Sequence, residues 1–294
     1  MKLLYTLVLV AVTAFFALVP SVTSANAVLV GFKSGGKIFA IDEVSGEGTF
    51  LNSSGLGFIN SAASNSKGSI YTVLNQNQVR SGSGRNVLTQ LITVDPVTGE
   101  PTPVTDIGFA DVRGLAFSPE DKLYAIFDGG RDYRSGAFLP DKLYTIDLSS
   151  GHLYFVGSTG ATGLQSLAFS PDAKIFSWDV EKGLAILDIT TGTATFIHLH
   201  DQISLPDIQA LTFTPNGTLF GCNDSLFTIN LTTGWASEVG RKGYSDIRGL
   251  VFLESELSLP KKPFFSPFLK LVFLMLFSFL LVLAKTYLDK WVIR

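Results

Sequence analysis

The chain has 294 residues, a formal net charge of −3, 46% hydrophobic residues and 16% charged ones, which is too apolar for a disordered chain. Its single cysteine, Cys222, excludes an intrachain disulfide framework and a cysteine-based zinc site. Phenylalanine (24) far outnumbers methionine (2), which favours strands over helical bundles.

The first 27 residues read as a secretory leader. A basic start at Lys2 precedes the uncharged apolar run Leu3 to Val19, then Pro20 and the small-residue site Ala25-Asn26-Ala27. Cleavage is expected after Ala27, with Ala25 a near alternative. The run is at the lower edge of what spans a bilayer, so an uncleaved anchor is the competing reading.

Residues 28–260 hold 15 Lys+Arg and 24 Asp+Glu, a net −9. No basic stripe is present, which argues against nucleic acid as a partner. One phrase recurs five times in this region: an apolar strand, then Asp or Asn, three residues, then Gly. Its anchors are Asp42, Asp95, Asp147, Asp188 and Asn230, each followed four residues later by Gly46, Gly99, Gly151, Gly192 or Gly234. The acidic or amide side chain bonds amides just ahead, and glycine accepts positive φ. Each phrase is thus a tight turn between two strands. Six sheets would need a sixth anchor phrase, and none is found.

A second phrase runs in register with the first: DVRGLAFSPEDKLYAI, GLQSLAFSPDAKIFSWD and DIQALTFTPNGTLFGCN, with a weaker first copy at FINSAASNSKGSIYTV and a truncated last copy at DIRGLVF. The pairs Leu115/Phe117, Leu167/Phe169, Leu211/Phe213 and Leu250/Phe252 are two apart and share a face of their strand. Each full unit therefore encodes four short strands. The fifth unit stops after Phe252, and Leu29-Val30-Gly31-Phe32 aligns with the strand it lacks. A ring cut inside one sheet has such a permuted start and end, and closure leaves no long unpaired edge. The expected fold is all-β, a five-bladed β-propeller of four-stranded blades over 28–260, closed by pairing the N- and C-terminal strands. An open stacked array would need caps at both ends.

These phrases resemble YVTN/NHL-type propeller repeats of secreted bacterial and archaeal proteins, over most of 28–255. The resemblance is specific for fold and weak for activity, since such proteins include lactonases, extracellular binding domains and many surface proteins without a known role. It implies that the GLAF-type strand lines the central channel and that HLYFV-type strands lie outermost. It also implies that turns before GLAF and loops after KLYAI share the face where ligands bind.

On that assignment Asn60, Arg113, Gln165, Gln209 and Arg248 ring one channel mouth, with Asp111, Asp207 and Asp246 two residues earlier in three copies. Two guanidiniums and three amides suit oxygen-rich ligands such as carboxylates or sugars. The bland alternative is turn capping or Asp–Arg bridging between blades. Two insertions, Leu74 to Leu88 and Phe127 to Pro140, read as long loops on the same face. Asp128 and Asp132 invite calcium, but two carboxylates fall short of its usual six to eight oxygens. His198, His200 and Asp201 at the end of an outer strand form a conceivable metal pair with a carboxylate beside it, although a solvated edge explains them better. His152 begins another outer strand, and Cys222 reads as a buried apolar residue. Neither a G-x-S-x-G elbow nor a phosphate loop occurs. Four Asn-x-Ser/Thr sequons, at Asn52, Asn216, Asn223 and Asn230, become glycosylation sites only in a eukaryotic secretory host. Richness in Ser and Thr explains them equally well.

The C-terminal run from Phe264 to Ala284 is 21 residues, enough to cross about 30 Å of hydrocarbon as a helix. Lys261, Lys262 and Lys270 lie before its core, and Lys285, Lys290 and Arg294 after it, so flanking charge does not orient it. A cleaved leader places 28–260 on the extracellular or periplasmic side and 285–294 in the cytoplasm. Leu259-Pro260-Lys261-Lys262 lacks the Thr and Gly of a sortase signal, and a lipid-anchor signal usually ends without such a polar tail. The expectation is a single-pass membrane protein whose propeller binds a small molecule, glycan or protein, with no cofactor. The alternative is an extracytoplasmic lactonase or hydrolase with calcium at the channel mouth. A third reading is a structural subunit of a surface assembly.

Overall fold

The computed structural model describes residues 28–81, 84–109, 111–197 and 205–253, with only the backbone for 75–81, 84–88 and 109. The expected leader (1–27), spanning helix (264–284) and tail (285–294) lie outside the described residues, as do His198, His200 and Asp201.

The described strands form five antiparallel four-stranded sheets. From centre to rim, the first blade is β20 (Ile247–Leu253), β1 (Val28–Lys33), β2 (Lys37–Ile41) and β3 (Gly48–Ser53). The second is β4 (Ile59–Ser64), β5 (Ile70–Ser81), β6 (Gly84–Val94) and β7 (Pro101–Phe109). The third is β8 (Val112–Phe117), β9 (Leu123–Phe127), β10 (Lys142–Ile146) and β11 (Leu153–Ser158). The fourth is β12 (Ala168–Phe169), β13 (Ile175–Asp179), β14 (Gly183–Leu187) and β15 (Ala194–Phe196). The fifth is β16 (Ala210–Phe213), β17 (Leu219–Cys222), β18 (Leu226–Ile229) and β19 (Ala236–Gly240). The innermost strands adjoin in a closed cycle, β20 to β4, β8, β12, β16 and back to β20.

Closure is a strand pairing between the two ends of the described chain. Leu29 faces Phe252, Val30 faces Val251 and Gly31 faces Leu250 across an antiparallel ladder. Here β20 is paired by the first strand, and the edges that remain are those of the outermost strands β3, β7, β11, β15 and β19.

Hydrophobic burial between blades explains why these strands carry little alternation. All five residues of β9 and all five of β13 are buried, because both faces of each blade meet a neighbour. One such contact joins Ile126 and Leu143 of the third blade to Leu164, Leu167, Ile175 and Ala185 of the fourth. Trp178, fully buried, packs with Ile208, Leu211 and Leu219 between the fourth and fifth blades. The rim strands are exposed instead, as Tyr154 and Phe155 on β11 show.

The five anchor turns share one geometry. The Oδ1 of Asp42, Asp95, Asp147, Asp188 and Asn230 accepts the backbone N–H groups two and three residues on, at 2.7–3.1 Å. The glycine N–H then donates to the anchor carbonyl at 2.8 Å. Hydroxyls reinforce three of these turns, at Asp42, Asp147 and Asp188. The Asp147 and Asp188 carboxyls are held down to about 2, first by the Ser149 and Thr190 hydroxyls and then by the backbone N–H groups.

A second demand on the glycine emerges only from packing. A Cβ on Gly192 would sit 2.7 Å from the carbonyl carbon of Gly157, in the rim strand of the preceding blade. Gly46 meets Gly240 and Gly99 meets Ser53 in the same way. Gly192 therefore combines a φ of +78° with a backbone contact, whereas Gly217 has a φ of +86° and open space. We expect Gly192→Ala to cost about 2–3 kcal/mol and Gly217→Ala about 1 kcal/mol in denaturant melts. Equal costs would show that the contact between blades is immaterial.

The expectation about the first insertion is corrected. Residues 74–88 are not a loop: β5 runs to Ser81 and β6 starts at Gly84, so the extra residues lengthen a hairpin. Backbone pairing continues from Tyr71–Thr93 out to Ser81–Gly84, with one register shift between Gln76 and Val79. In the other insertion, Asp132 to Gly136 is a sixth turn of the anchor type. Asp132 Oδ1 accepts the N–H groups of Arg134 at 3.0 Å and Ser135 at 2.7 Å, and Gly136 N–H donates back at 2.8 Å. No sixth blade follows, since only an isolated bridge, Arg131 with Phe138, flanks the turn.

Candidate channel-mouth site

Each innermost strand begins at the same end of the ring. There Ile59, Val112, Leu164, Ile208 and Ile247 are each buried to within 1% and anchor the strand starts in the layers between blades. The next residue in each blade is Asn60, Arg113, Gln165, Gln209 or Arg248. All five thus stand at matching backbone positions, but their side chains are not equally linked.

Gln209 and Arg248 meet. Arg248 Nη1 donates to Gln209 Oε1 at 3.2 Å, joining the fifth blade to the first. Arg248 Nε donates to Asp246 Oδ1 at 2.7 Å, and Gln209 Nε2 donates to Asp207 Oδ1 at 2.5 Å. Asn223, just after β17, donates its Nδ2 to Asp207 Oδ2 at 2.8 Å. Asp224 accepts the N–H of Asp246 at 2.9 Å and an ion pair from Arg241 at 3.6 Å. A continuous polar chain therefore runs Asn223–Asp207–Gln209–Arg248–Asp246 across one seam of the ring.

Arg113 belongs to a separate cluster. Its Nη2 reaches Asp111 Oδ2 at 3.0 Å and Asp128 Oδ2 at 2.5 Å, with about a third of each pairing side chain or somewhat more exposed. Such half-exposed pairs orient more than they stabilise. Asp141, at the foot of the insertion, is 2% exposed. Its carboxylate accepts the Leu164 N–H at 2.9 Å and the Gly129 N–H at 3.2 Å, so it ties the insertion to the fourth blade. Burial pushes this carboxyl up to about 6, against the pull of those two N–H groups, with Asp128 adding to the rise and Arg113 opposing it. Among the described residues, no side-chain hydrogen bond links Asn60 or Gln165 to either cluster.

Asp128 and Asp132, too few to hold calcium by themselves, are used otherwise. Asp132 Oδ1 closes its own turn, while Asp128 gives Oδ1 to the Gly130 N–H and Oδ2 to Arg113. Among the described residues, no three His, Cys, Asp or Glu side chains group as metal ligands. His152 is exposed and packs edge-on against Tyr154, centroids 4.5 Å apart. Cys222 is fully buried, and burial pushes its thiol up to about 12.

The sequence does not single out Asp141 and Asp224, and it marks Asp128 and Asn223 only as a calcium candidate and a sequon rather than as mouth residues. One signal was available: a carboxylate or amide lies within one residue of the end of β9, β13 and β17, at Asp128, Asp179 and Asn223. Asp141 carries no such periodic mark.

No protein-family model matches the chain, and no curated protein does. A chain of a nidogen–laminin complex is similar in structure, 12% identical with a TM-score of 0.51, covering 79% of this chain and 100% of that one. A symmetrical protein, whose structure was described in terms of de novo evolutionary emergence under folding constraints, is 18% identical with a TM-score of 0.50, covering 76% and 98%. A candidate 6-phosphogluconolactonase from Bacteroides fragilis aligns over 80% and 99% at 13% identity, but its TM-score of 0.42 carries no argument. At such identities the likenesses speak for the fold alone, and the chain is a five-bladed β-propeller whose function has to be argued from its mouth.

Proposed function

We propose that the chain is an exported, membrane-tethered binding module that takes a neutral, hydroxyl-rich ligand such as a glycan at the channel mouth. The repeat phrases also favour placing it among YVTN/NHL-type propellers. The leader-like start and the apolar C-terminal run support export and a single membrane pass.

The observation that carries the ligand class is the linked chain Asn223–Asp207–Gln209–Arg248–Asp246. It holds amide, guanidinium and carboxylate groups side by side in fixed orientation. A hydroxyl both donates and accepts, so it fits such a mixed array. A free carboxylate ligand fits less well, because Arg113 and Arg248 already face Asp111, Asp128 and Asp246.

The test is calorimetric titration of the full chain in lipid nanodiscs with neutral oligosaccharides. Arg248→Ala should weaken binding about tenfold, the scale of a lost charge-assisted hydrogen bond. Binding unaffected by Arg248→Ala and by Gln209→Ala would remove the mouth as the site. Protease protection of residues 28–260 in intact cells would overturn the proposed topology.

A further inference from the structure

Four sequons run through the blades, but the fold treats their asparagines differently. Asn223 is 8% exposed. Its Nδ2 donates to Asp207 at 2.8 Å, inside the polar chain of the mouth. Asn52 is half-buried, with its Nδ2 donated across a blade seam to the Val97 carbonyl at 2.8 Å and its Oδ1 accepting the Ser53 N–H at 2.8 Å. In both, the amide nitrogen that would carry a sugar is already held by the protein.

Asn216 and Asn230 are the reverse case. Both are exposed. Asn216 Oδ1 accepts the backbone N–H of Thr218 at 3.2 Å, and Asn230 Oδ1 accepts that of Thr232 at 2.9 Å. Each bond folds the asparagine carbonyl onto the residue two positions on, which is the sequon threonine itself. Each Oδ1 is thus engaged within its own turn, Asn216 also accepting the Thr214 hydroxyl and Asn230 the Thr233 N–H, and among the described residues neither Nδ2 donates a hydrogen bond. Asn216 lies in the β16–β17 turn and Asn230 in the β18–β19 turn. In the fifth blade these are the strand ends opposite to the one bearing Asp207, Gln209 and Asn223.

We propose that Asn216 and Asn230 are N-glycan acceptor sites, that Asn52 and Asn223 are not, and that glycans on this blade leave the mouth uncovered. The inference rests on the proposed export of the propeller into a secretory route. In the reaction, Nδ2 attacks the anomeric carbon of a lipid-pyrophosphate-linked oligosaccharide. The bond from that carbon to the pyrophosphate oxygen breaks, the lipid pyrophosphate leaves with the electron pair, and Nδ2 loses one proton. A glycan on Asn223 would leave Nδ2 one N–H, but at 8% exposure the residue has no room for a sugar in the folded blade, so chains modified there cannot pack the mouth as described.

The experiment expresses the full chain in a glycosylating secretory host, once with its own leader and once with a heterologous leader ahead of Ala27. Site occupancy is read by mass spectrometry on folded, surface-delivered protein after enzymatic release of glycans in heavy-oxygen water. The expected result under the heterologous leader is occupancy at Asn216 and Asn230 and none at Asn52 or Asn223. Asn216→Gln and Asn230→Gln should each remove one mass step on a gel. Occupancy of Asn52 or Asn223, or an unmodified Asn216 or Asn230, would overturn the assignment. Loss of all glycans under the native leader, with normal occupancy under the heterologous one, would strike the export proposal and leave the acceptor assignment intact.

Discussion

Replacing Gly249 by valine is expected to destabilise the propeller by about 3 kcal/mol, lowering the melting temperature by roughly 6–12 °C for a domain of this size. Gly249 stands one residue after Arg248, in a ring of small residues: Ser61, Gly114, Ser166, Ala210 and Gly249. At this level neighbouring innermost strands come into backbone contact, as Gly249 and Gly114 show. A Cβ on Gly249 would lie 2.6 Å from Ala62 Cβ and 2.7 Å from Ala62 N, and one on Gly114 would lie 2.7 Å from the carbonyl carbon of Ser166. At Ser61 the side chain reaches across instead, its Oγ accepting the Leu115 N–H at 2.8 Å. A β-branched side chain has nowhere to go, because its neighbours are backbone rather than flexible side-chain ends. Thermal denaturation followed by circular dichroism checks this. A shift below about 2 °C would show that the five strands do not close as tightly as described. Ser61→Ala should cost less, about 1–2 kcal/mol, since it leaves one buried N–H without its acceptor.

The second large effect is on pH dependence. Asp141 has a folded-state value of about 6 against an ordinary 3.8. Folding therefore raises its proton affinity, and its contribution to stability grows as pH falls through 6 and is complete below about 4. The ceiling on that gain is about 3 kcal/mol, from a little over two units at 1.36 kcal/mol each. Asp111, whose carboxyl burial also pushes up, acts with the same sign. The anchor turns act in the opposite direction. Asp147 and Asp188 are depressed to about 2, so what they contribute is lost as pH falls from about 4 toward 2. The melting temperature should rise from pH 7.5 to about 5 and then fall below pH 4. Asp141→Asn should flatten most of the rise between pH 7 and 5 while leaving the acid limb in place. A wild-type profile already flat over that interval would refute the buried, ionised Asp141.

Much of the architecture was legible because it repeats. The anchor phrase writes its own turn: a short side chain that accepts two N–H groups, then a glycine with positive φ. The Leu-x-Phe pairs mark strand faces by their spacing, and the missing strand after Phe252 matched the spare strand at Leu29. None of that needs knowledge of neighbours. The sixth turn at Asp132 shows the limit of such reading. Its five residues satisfy the same local chemistry, yet only flanking strands with partners make a blade. The insertion after Leu74 was misjudged for a related reason, since polar residues in a hairpin stem look like a loop when the cross-strand ladder is unseen.

The mouth was half legible. Register put Asn60, Arg113, Gln165, Gln209 and Arg248 at equivalent points, and these positions do coincide along the strands. Register carried no information about which side chains would touch. Asp207 and Asn223, 16 residues apart, meet across the β16–β17 hairpin of the fifth blade, whereas Gln209 and Arg248, 39 apart, meet only because the ring closes between the fifth blade and the first. Asp128 and Asp141 gained their roles from the way the second insertion folds back on Arg113 and Leu164.

By itself, then, the sequence determined the turns, the strand faces, the number of blades and the place where the ring is cut, because each follows from local hydrogen bonding and period-two patterning. Tertiary structure alone decided which glycines tolerate no side chain, which carboxylates lose water and bind protons, and which asparagines keep a free amide. Those properties depend on how near the backbone of the next blade comes, and that distance is set by closure of the whole ring.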